Sequence, residues 1–176
     1  MSDAIFRHAL LEDVDAIVDL VTSAYRGESS RVGWTTEADL LDGDRIDPDL
    51  LRADIRRPRS LVLLAGEAGV AGPIACAHIA EEAGAGYFGM FAVRPERQGA
   101  GLGHALLGEA ERVVREDWRL QAMRMTVLDV RDELIAWYER RGYRRTGRFR
   151  PFPYGDARFG LPRRDDLRFE VLEKAL

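Results

Sequence analysis

Apolar side chains recur near the start of the chain with a helical period. Val14, Ile17, Val18, Val21 and Tyr25 fall at i, i+3, i+4, i+7 and i+11, which predicts a helix over about 12–25. Glu12 and Asp13 stand where negative charge favours a helix N-terminus. Before it, Ile5–His8 reads as a short opening strand. Beyond it, residues 27–59 lose the pattern: they are polar, acidic and punctuated by Gly33, Gly43, Pro48 and Pro58. Short helices over Glu37–Leu41 and Pro48–Ile55 are expected there, within a substrate-side flap.

From residue 60 the pattern changes to short apolar runs. Ser60–Ala65, Ile74–Glu81 and Tyr87–Val93 read as a three-strand meander, its first hairpin turning at Gly66–Gly69. A second helix is predicted from about Gly101 to Asp117, buried through Leu106, Leu107, Ala110, Val113 and Val114. Met123–Leu128 then reads as a strand, Glu133–Arg141 as a short helix, and Tyr143–Arg148 and Leu167–Leu172 as the last two strands. The order β-α-α-β-β-β-α-β-α-β-β predicts one α/β domain over residues 1–176 with a mixed sheet.

Composition narrows the class. At 176 residues and 46% hydrophobic, the chain suits one domain with a real core. No apolar run nears the 18 or so residues of a membrane span, and the acidic N-terminus, with Asp3, Glu12, Asp13 and Asp15, does not resemble a signal peptide. Cys76 is the only cysteine, so no intrachain disulfide is expected and a cytoplasmic location fits. The net charge of −4 is unevenly divided. Residues 1–90 carry 16 acids and 8 bases, a balance of −8; residues 91–176 carry 14 acids and 18 bases, a balance of +4. The basic half is where a multiply charged anion would be held.

The segment Phe91-Ala92-Val93-Arg94-Pro95-Glu96-Arg97-Gln98-Gly99-Ala100-Gly101-Leu102-Gly103-His104 carries the chemistry. A strand runs out, Pro95 marks a turn, and three alternating glycines open a helix. Without a Cβ the glycine backbone can lie directly against a ligand. The first helical N–H groups have no intrahelical acceptor and sit at the positive end of the helix dipole. Together they make a pyrophosphate cradle, although an ordinary glycine-rich turn has the same spacing. Nearby, Gly84-Ala85-Gly86-Tyr87-Phe88-Gly89 is literally G-x-G-x-x-G, but it leads into a strand, so it is read as turn plus strand and not as a dinucleotide fingerprint.

Two blocks resemble the GCN5-related N-acetyltransferase (GNAT) family. Gln98-Gly99-Ala100-Gly101-Leu102-Gly103 matches its [Q/R]-x-x-G-x-[G/A] signature, and Gly89–Pro95 looks like its central strand and exit. Glu133–Tyr143 resembles its second helix-and-strand block, with Leu134 in place of the usual small residue. The specific part of the resemblance spans 88–148.

The resemblance implies a mixed, mostly antiparallel sheet flanked by helices and splayed at the cofactor site. It implies acetyl-CoA as co-substrate and transfer of its acetyl group to an amine of a small-molecule or peptide acceptor. By position, Phe91, Ala92 and Val93 would meet the pantetheine and thioester. The N–H groups of Gly99, Ala100, Gly101, Leu102, Gly103 and His104, following Gln98, would hold the pyrophosphate. A central-strand N–H would stabilise the tetrahedral oxyanion, a donor worth about 3 kcal/mol. Tyr138 aligns with the family's general acid, and a phenol near pKa 10 can protonate a leaving thiolate whose thiol has a pKa of about 8.5; a ring packed on an amphipathic helix is the plainer reading of that residue. The family is often dimeric, which leaves a homodimer open, and a non-catalytic acyl-CoA sensor on the same fold is the alternative.

Several features depart from the pattern or stand outside it. The central strand Tyr87-Phe88-Gly89-Met90-Phe91 carries no acid where many members have a glutamate, leaving Glu81, Glu82 or a water chain as base. Arg131 stands where the family often has an asparagine touching the cofactor. His8, His78 and His104 have no metal-ligand spacing, and no metal is expected. Cys76 reads as a small core residue. Arg140, Arg141, Arg144, Arg145, Arg148 and Arg150 form a basic cluster, read as a solvated face or as a contact for CoA phosphates. It lacks interleaved aromatics, so nucleic acid is not expected. The acceptor is expected between the flap, with Trp34, Glu37, Asp39 and Arg45, and a wall of Phe152, Tyr154 and Phe159. The acidic flap would draw in a cationic amine.

Overall fold

A computed structural model of the chain describes residues 3–26, 37–43 and 45–176. Strand β1 (Ile5–His8) passes through a 3-10 turn into helix α1 (Val14–Tyr25). The Asp13 carboxylate ties the two together: it accepts the Leu10 N–H at 2.8 Å and two bonds from the Arg7 guanidinium at 2.7 Å. Helix α2 (Pro48–Arg56) starts where Pro48 follows Asp47, whose carboxylate accepts the N–H groups of Asp49 and Leu50 at 2.9 Å.

The helix expected over Glu37–Leu41 is a single turn instead. The N–H groups of Leu40 and Leu41 both donate to the Glu37 carbonyl at 2.9 Å. The chain then enters strand β2 (Leu41–Asp42), which pairs with strand β8 (Leu161–Pro162). Burial decides this: Leu41 packs into a cluster with Leu128, Phe152 and Leu167, and that packing outweighs the weak local helix propensity. Trp34 lies outside the described residues.

Strands β3 (Ser60–Gly66), β4 (Ala75–Glu82) and β5 (Ala85–Val93) form the expected meander. Helix α3 (Leu102–Arg112) widens into a π-helical turn over Val113–Asp117. Strand β6 (Ala122–Leu128), helix α4 (Asp132–Glu139), strand β7 (Arg144–Pro151) and strand β9 (Arg168–Ala175) complete the chain. The seven-stranded sheet runs β1-β3-β4-β5-β6-β9-β7, and every neighbouring pair is antiparallel except β5–β6.

Both faces of the sheet centre are covered, which explains why β3 and β4 read as near-continuous apolar runs. Val62, Leu64 and Cys76 point to one face with Ile17, Val21 and Leu51 of α1 and α2. Leu63, Ala77 and Ile79 point to the other, with Leu106, Ala110 and Ile135 of α3 and α4. Burial of each leucine contributes roughly 1.5–3 kcal/mol. Helix α3 approaches β5 closely enough that a Cβ on Gly86 would lie 2.6 Å from the Val114 side chain. Strand β7 forms one edge, mostly exposed and carrying Arg144, Arg145, Arg148 and Arg150; charge of that kind disfavours edge-to-edge association.

Candidate active site

The parallel strands β5 and β6 are registered only at Gly86–Met123 and Tyr87–Arg124. Beyond those pairs they part, leaving one side of Phe88–Val93 without a strand neighbour. On its other side β5 carries an extra residue against β4, since Gly89 faces His78 but Ala92 faces Cys76. Within that bulge Met90 adopts φ +49°, a left-handed conformation that costs a non-glycine residue about 1–2 kcal/mol. Two cavities open at the divergence, and Tyr25, Phe91 and Leu134 line both.

The first cavity, about 350 Å³, follows the strand exit and the glycine turn. Phe91, Ala92, Val93, Gln98, Gly99 and Gly101 line it, followed by Gly103 and His104. Gly99 and Gly101 take φ +84° and +82°, which explains glycine at both. Gly103 packs tightly: a Cβ there would lie 3.0 Å from Phe91 Cζ. The Gln98 amide donates to the Val93 carbonyl at 3.1 Å, pinning the turn to the strand end. The first intrahelical bond runs from the Ala105 N–H to the Gly101 carbonyl, so the N–H groups of Leu102, Gly103 and His104 precede the helical ladder.

Ala100 and Leu102, also predicted for this site, do not line the cavity; the Leu102 side chain turns into the core. Trp137 and Arg141 close the far wall, with the Arg141 guanidinium 3.5 Å from the ring centroid of Trp137. Of the basic cluster only Arg140 and Arg141 reach this cavity. Arg145 and Arg148 pair with Glu170 and Glu173 across β9.

The second cavity, about 230 Å³, lies along Met125–Leu128 of β6. Tyr138 lines it, buried, with its ring edge-on to Trp137 and Tyr143. Burial pushes the Tyr138 phenol well above its ordinary range, so it keeps its proton. Among the described residues its hydroxyl makes no hydrogen bond. Tyr25 stands at the boundary between the cavities, and its hydroxyl donates to the Phe91 carbonyl in the bulge.

Among the described residues, Glu37 is the acid that lines this cavity, and arginines surround it. Arg26 bonds one carboxylate oxygen, Arg131 donates to the other at 3.1 Å, and Arg45 approaches to 3.4 Å. Burial would raise the Glu37 carboxyl, but the charges of Arg45, Arg131 and Arg26 more than offset it and hold it below the ordinary range. So low a basicity makes Glu37 a poor proton acceptor. Phe152 and Phe159 line the cavity as expected; Tyr154 does not, and packs on Phe152 with centroids 5.1 Å apart. Asp39 is exposed and outside the lining.

Neither acid proposed as base is nearby. Glu81 pairs with Arg59, and neither Glu81 nor Glu82 lines either cavity. Arg131 lines the second cavity and not the first. Cys76 is fully buried and donates to the Met90 carbonyl at 3.7 Å; burial pushes its thiol up to about 12, which removes it as a nucleophile.

Sequence reasoning missed Tyr25 and Arg26. Tyr25 is the last member of the apolar stripe of α1, so its ring looked like core. Only its place at the helix end distinguished it.

A family model described as the acetyltransferase (GNAT) family matches residues 16–143. No curated protein sequence matches the chain. Among solved structures, the ribosomal-protein-S18-alanine N-acetyltransferase from Escherichia coli superposes with a TM-score of 0.70 at 16% identity, over 98% of this chain and 93% of that one. The ribosomal-protein-alanine N-acetyltransferase from Brucella melitensis gives 0.70 at 18%, over 98% and 99%. A spermidine N-acetyltransferase chimera from Vibrio cholerae gives 0.68 at 15%, over 99% and 96%. At these identities the likeness is one of fold. Among the described residues, no helix is long and apolar enough to cross a membrane.

Proposed function

The chain belongs to the acetyltransferase (GNAT) family, and we propose that it transfers the acetyl group of acetyl-CoA to a primary amine by direct attack within a ternary complex. The observation that carries this is the parting of β5 from β6 beyond Tyr87, with the glycine cradle on one side of the opening and the protonated Tyr138 on the other.

The residues present fit the co-substrate. The N–H groups opening α3 receive the pyrophosphate, and Arg140 and Arg141 add positive charge to the same cavity. The bulged strand at Met90–Phe91 offers main-chain groups to the pantetheine arm and the thioester. The amine nitrogen attacks the thioester carbonyl carbon, the C–S bond breaks, and the nitrogen loses a proton as the amide forms. Tyr138 delivers its proton to the departing sulfur. No carboxylate among the described lining residues suits the base role, so the amine proton leaves through water; Tyr138 regains its own from solvent.

Thioester turnover with an amine panel, alongside a thermal shift with acetyl-CoA, tests this reading. Stabilisation by acetyl-CoA with CoA release that depends on added amine supports it. Stabilisation without turnover on any amine replaces it with acyl-CoA sensing, and no stabilisation at all removes the cofactor assignment.

A further inference from the structure

Among its described lining residues, the second cavity combines aromatic walls with more arginines than acids. Phe152, Phe159 and Phe169 form apolar wall, while Arg26, Arg45 and Arg131 bring three guanidiniums to the single carboxylate of Glu37. Among the described lining residues, three positive charges less one negative leave two positive. Arg26 and Arg131 are buried and occupy both oxygens of Glu37. Arg45 is different. Its side chain is 30% exposed, its contact with Glu37 is 3.4 Å, and it lies over the Tyr25 ring at 5.0 Å, beside the boundary with the first cavity.

The Arg45 guanidinium, part-exposed beside apolar walls, is placed to take a further anionic partner. A polyamine or a lysine side chain entering here would meet like charge, at a cost of several kcal/mol. We propose that the acceptor is a small amine that carries a carboxylate, an amino acid with an apolar or aromatic side chain, and that Arg45 binds the carboxylate. The inference rests on the acetyltransfer reading of this same site. A guanidinium matches a carboxylate with two parallel hydrogen bonds. Glu37 beside Arg45 repels a dianionic phosphoryl group more strongly than a monoanion, which favours the carboxylate. The volume of about 230 Å³, below the usual range for drug-sized ligands, also favours a small molecule.

The test compares acceptor pairs that differ only in the carboxylate: L-phenylalanine with 2-phenylethylamine, and L-leucine with isoamylamine. The expected result is a kcat/KM at least tenfold higher for the carboxylate member of each pair. Arg45→Gln should collapse that ratio toward unity, and Arg45→Lys should keep part of it. A preference for the decarboxylated amine, for spermidine, or for the phosphonate analogue of phenylalanine overturns the assignment while leaving acetyltransfer intact. If acetyl-CoA binds but no amine turns over, the transfer reading fails separately. The anion site is then read by thermal shift: N-acetyl-L-phenylalanine should stabilise the wild type, N-acetyl-2-phenylethylamine should not, and Arg45→Gln should abolish the difference. Equal shifts from both compounds refute it.

Discussion

The Tyr25 hydroxyl donates to the main-chain carbonyl of Phe91, tying the end of α1 to the bulge of β5. It is a side-chain bond between that helix and the strand proposed to hold the thioester. Tyr25→Phe keeps the ring and removes the donor, leaving a part-buried carbonyl short of one partner at a cost of about 1–2 kcal/mol. The melting temperature should fall by roughly 2–4 °C per kcal/mol. A looser bulge should also lower kcat several-fold. Calorimetry and steady-state turnover measure both effects, and a variant unchanged in each would show that the bond does not position the strand.

Glu37 gives the fold a pH dependence with a definite sign. Its carboxyl lies below its ordinary value of 4.5 in the folded state. Its contribution is therefore complete above that pH and is lost as pH falls through the folded value. Glu37→Gln leaves buried Arg26 and Arg131 without their counter-charge and should destabilise by about 3 kcal/mol at pH 7. The gap between variant and wild type should narrow as pH drops below 4.5, because the wild type loses the same charge. Urea midpoints from pH 7 down to pH 3 read this directly. A gap that stays constant would mean that charge is not what Glu37 contributes.

The legible parts of this protein are those whose cause is local. The stripe of α1, the meander and the glycine turn each follow from period or from backbone freedom. The strand exit and glycine turn that line the first cavity lie within one continuous stretch, Phe91–His104, so spacing together with the family resemblance singles them out. The second cavity is assembled from distant segments: Arg26 from the end of α1, Glu37 and Arg45 from the flap, Arg131 from the start of α4. No pattern in the chain announces that three arginines will surround one glutamate. Counting charge by halves does not show which acids pair locally, as Asp13 does with Arg7 and Asp49 with Arg52. The Leu41–Asp42 and Leu161–Pro162 strands are too short to show a period, and only burial of Leu41 selects them.

The glycine cradle separates two ways of losing the cofactor. Gly101 has open space around its missing Cβ, so Gly101→Val is opposed by the backbone at φ +82° and by the ligand, not by protein neighbours. Gly103→Ala places a methyl 3.0 Å from Phe91 Cζ, so that ring must give by a few tenths of an ångström. Both variants should weaken acetyl-CoA, the first by about a hundredfold or more, near 2.7 kcal/mol. Only Gly103→Ala should also alter the Phe91 environment in the absence of ligand. Isothermal titration and ring-proton NMR tell the two apart. Unchanged affinity in Gly101→Val would remove the cradle from the cofactor site.

Tyr138 offers the sharpest separation of stability from catalysis. Its hydroxyl makes no hydrogen bond among the described residues, so Tyr138→Phe forfeits no internal bond and should change unfolding free energy by less than about 0.5 kcal/mol. Loss of a general acid typically costs 10²–10⁴-fold, and kcat should fall by at least about a hundredfold while the KM for acetyl-CoA moves little. Burial raises the phenol above its ordinary value of 10.0; the same low-dielectric surroundings disfavour a bare thiolate, so the proton moves only as charge develops on sulfur. Raising pH to 10 should therefore leave the acid in its active form, and any fall in kcat caused by its ionisation belongs above that pH. A wild-type limb near pH 8.5 that Tyr138→Phe abolishes would contradict the upward shift of the phenol, and turnover unaffected by the substitution would contradict its role as the acid.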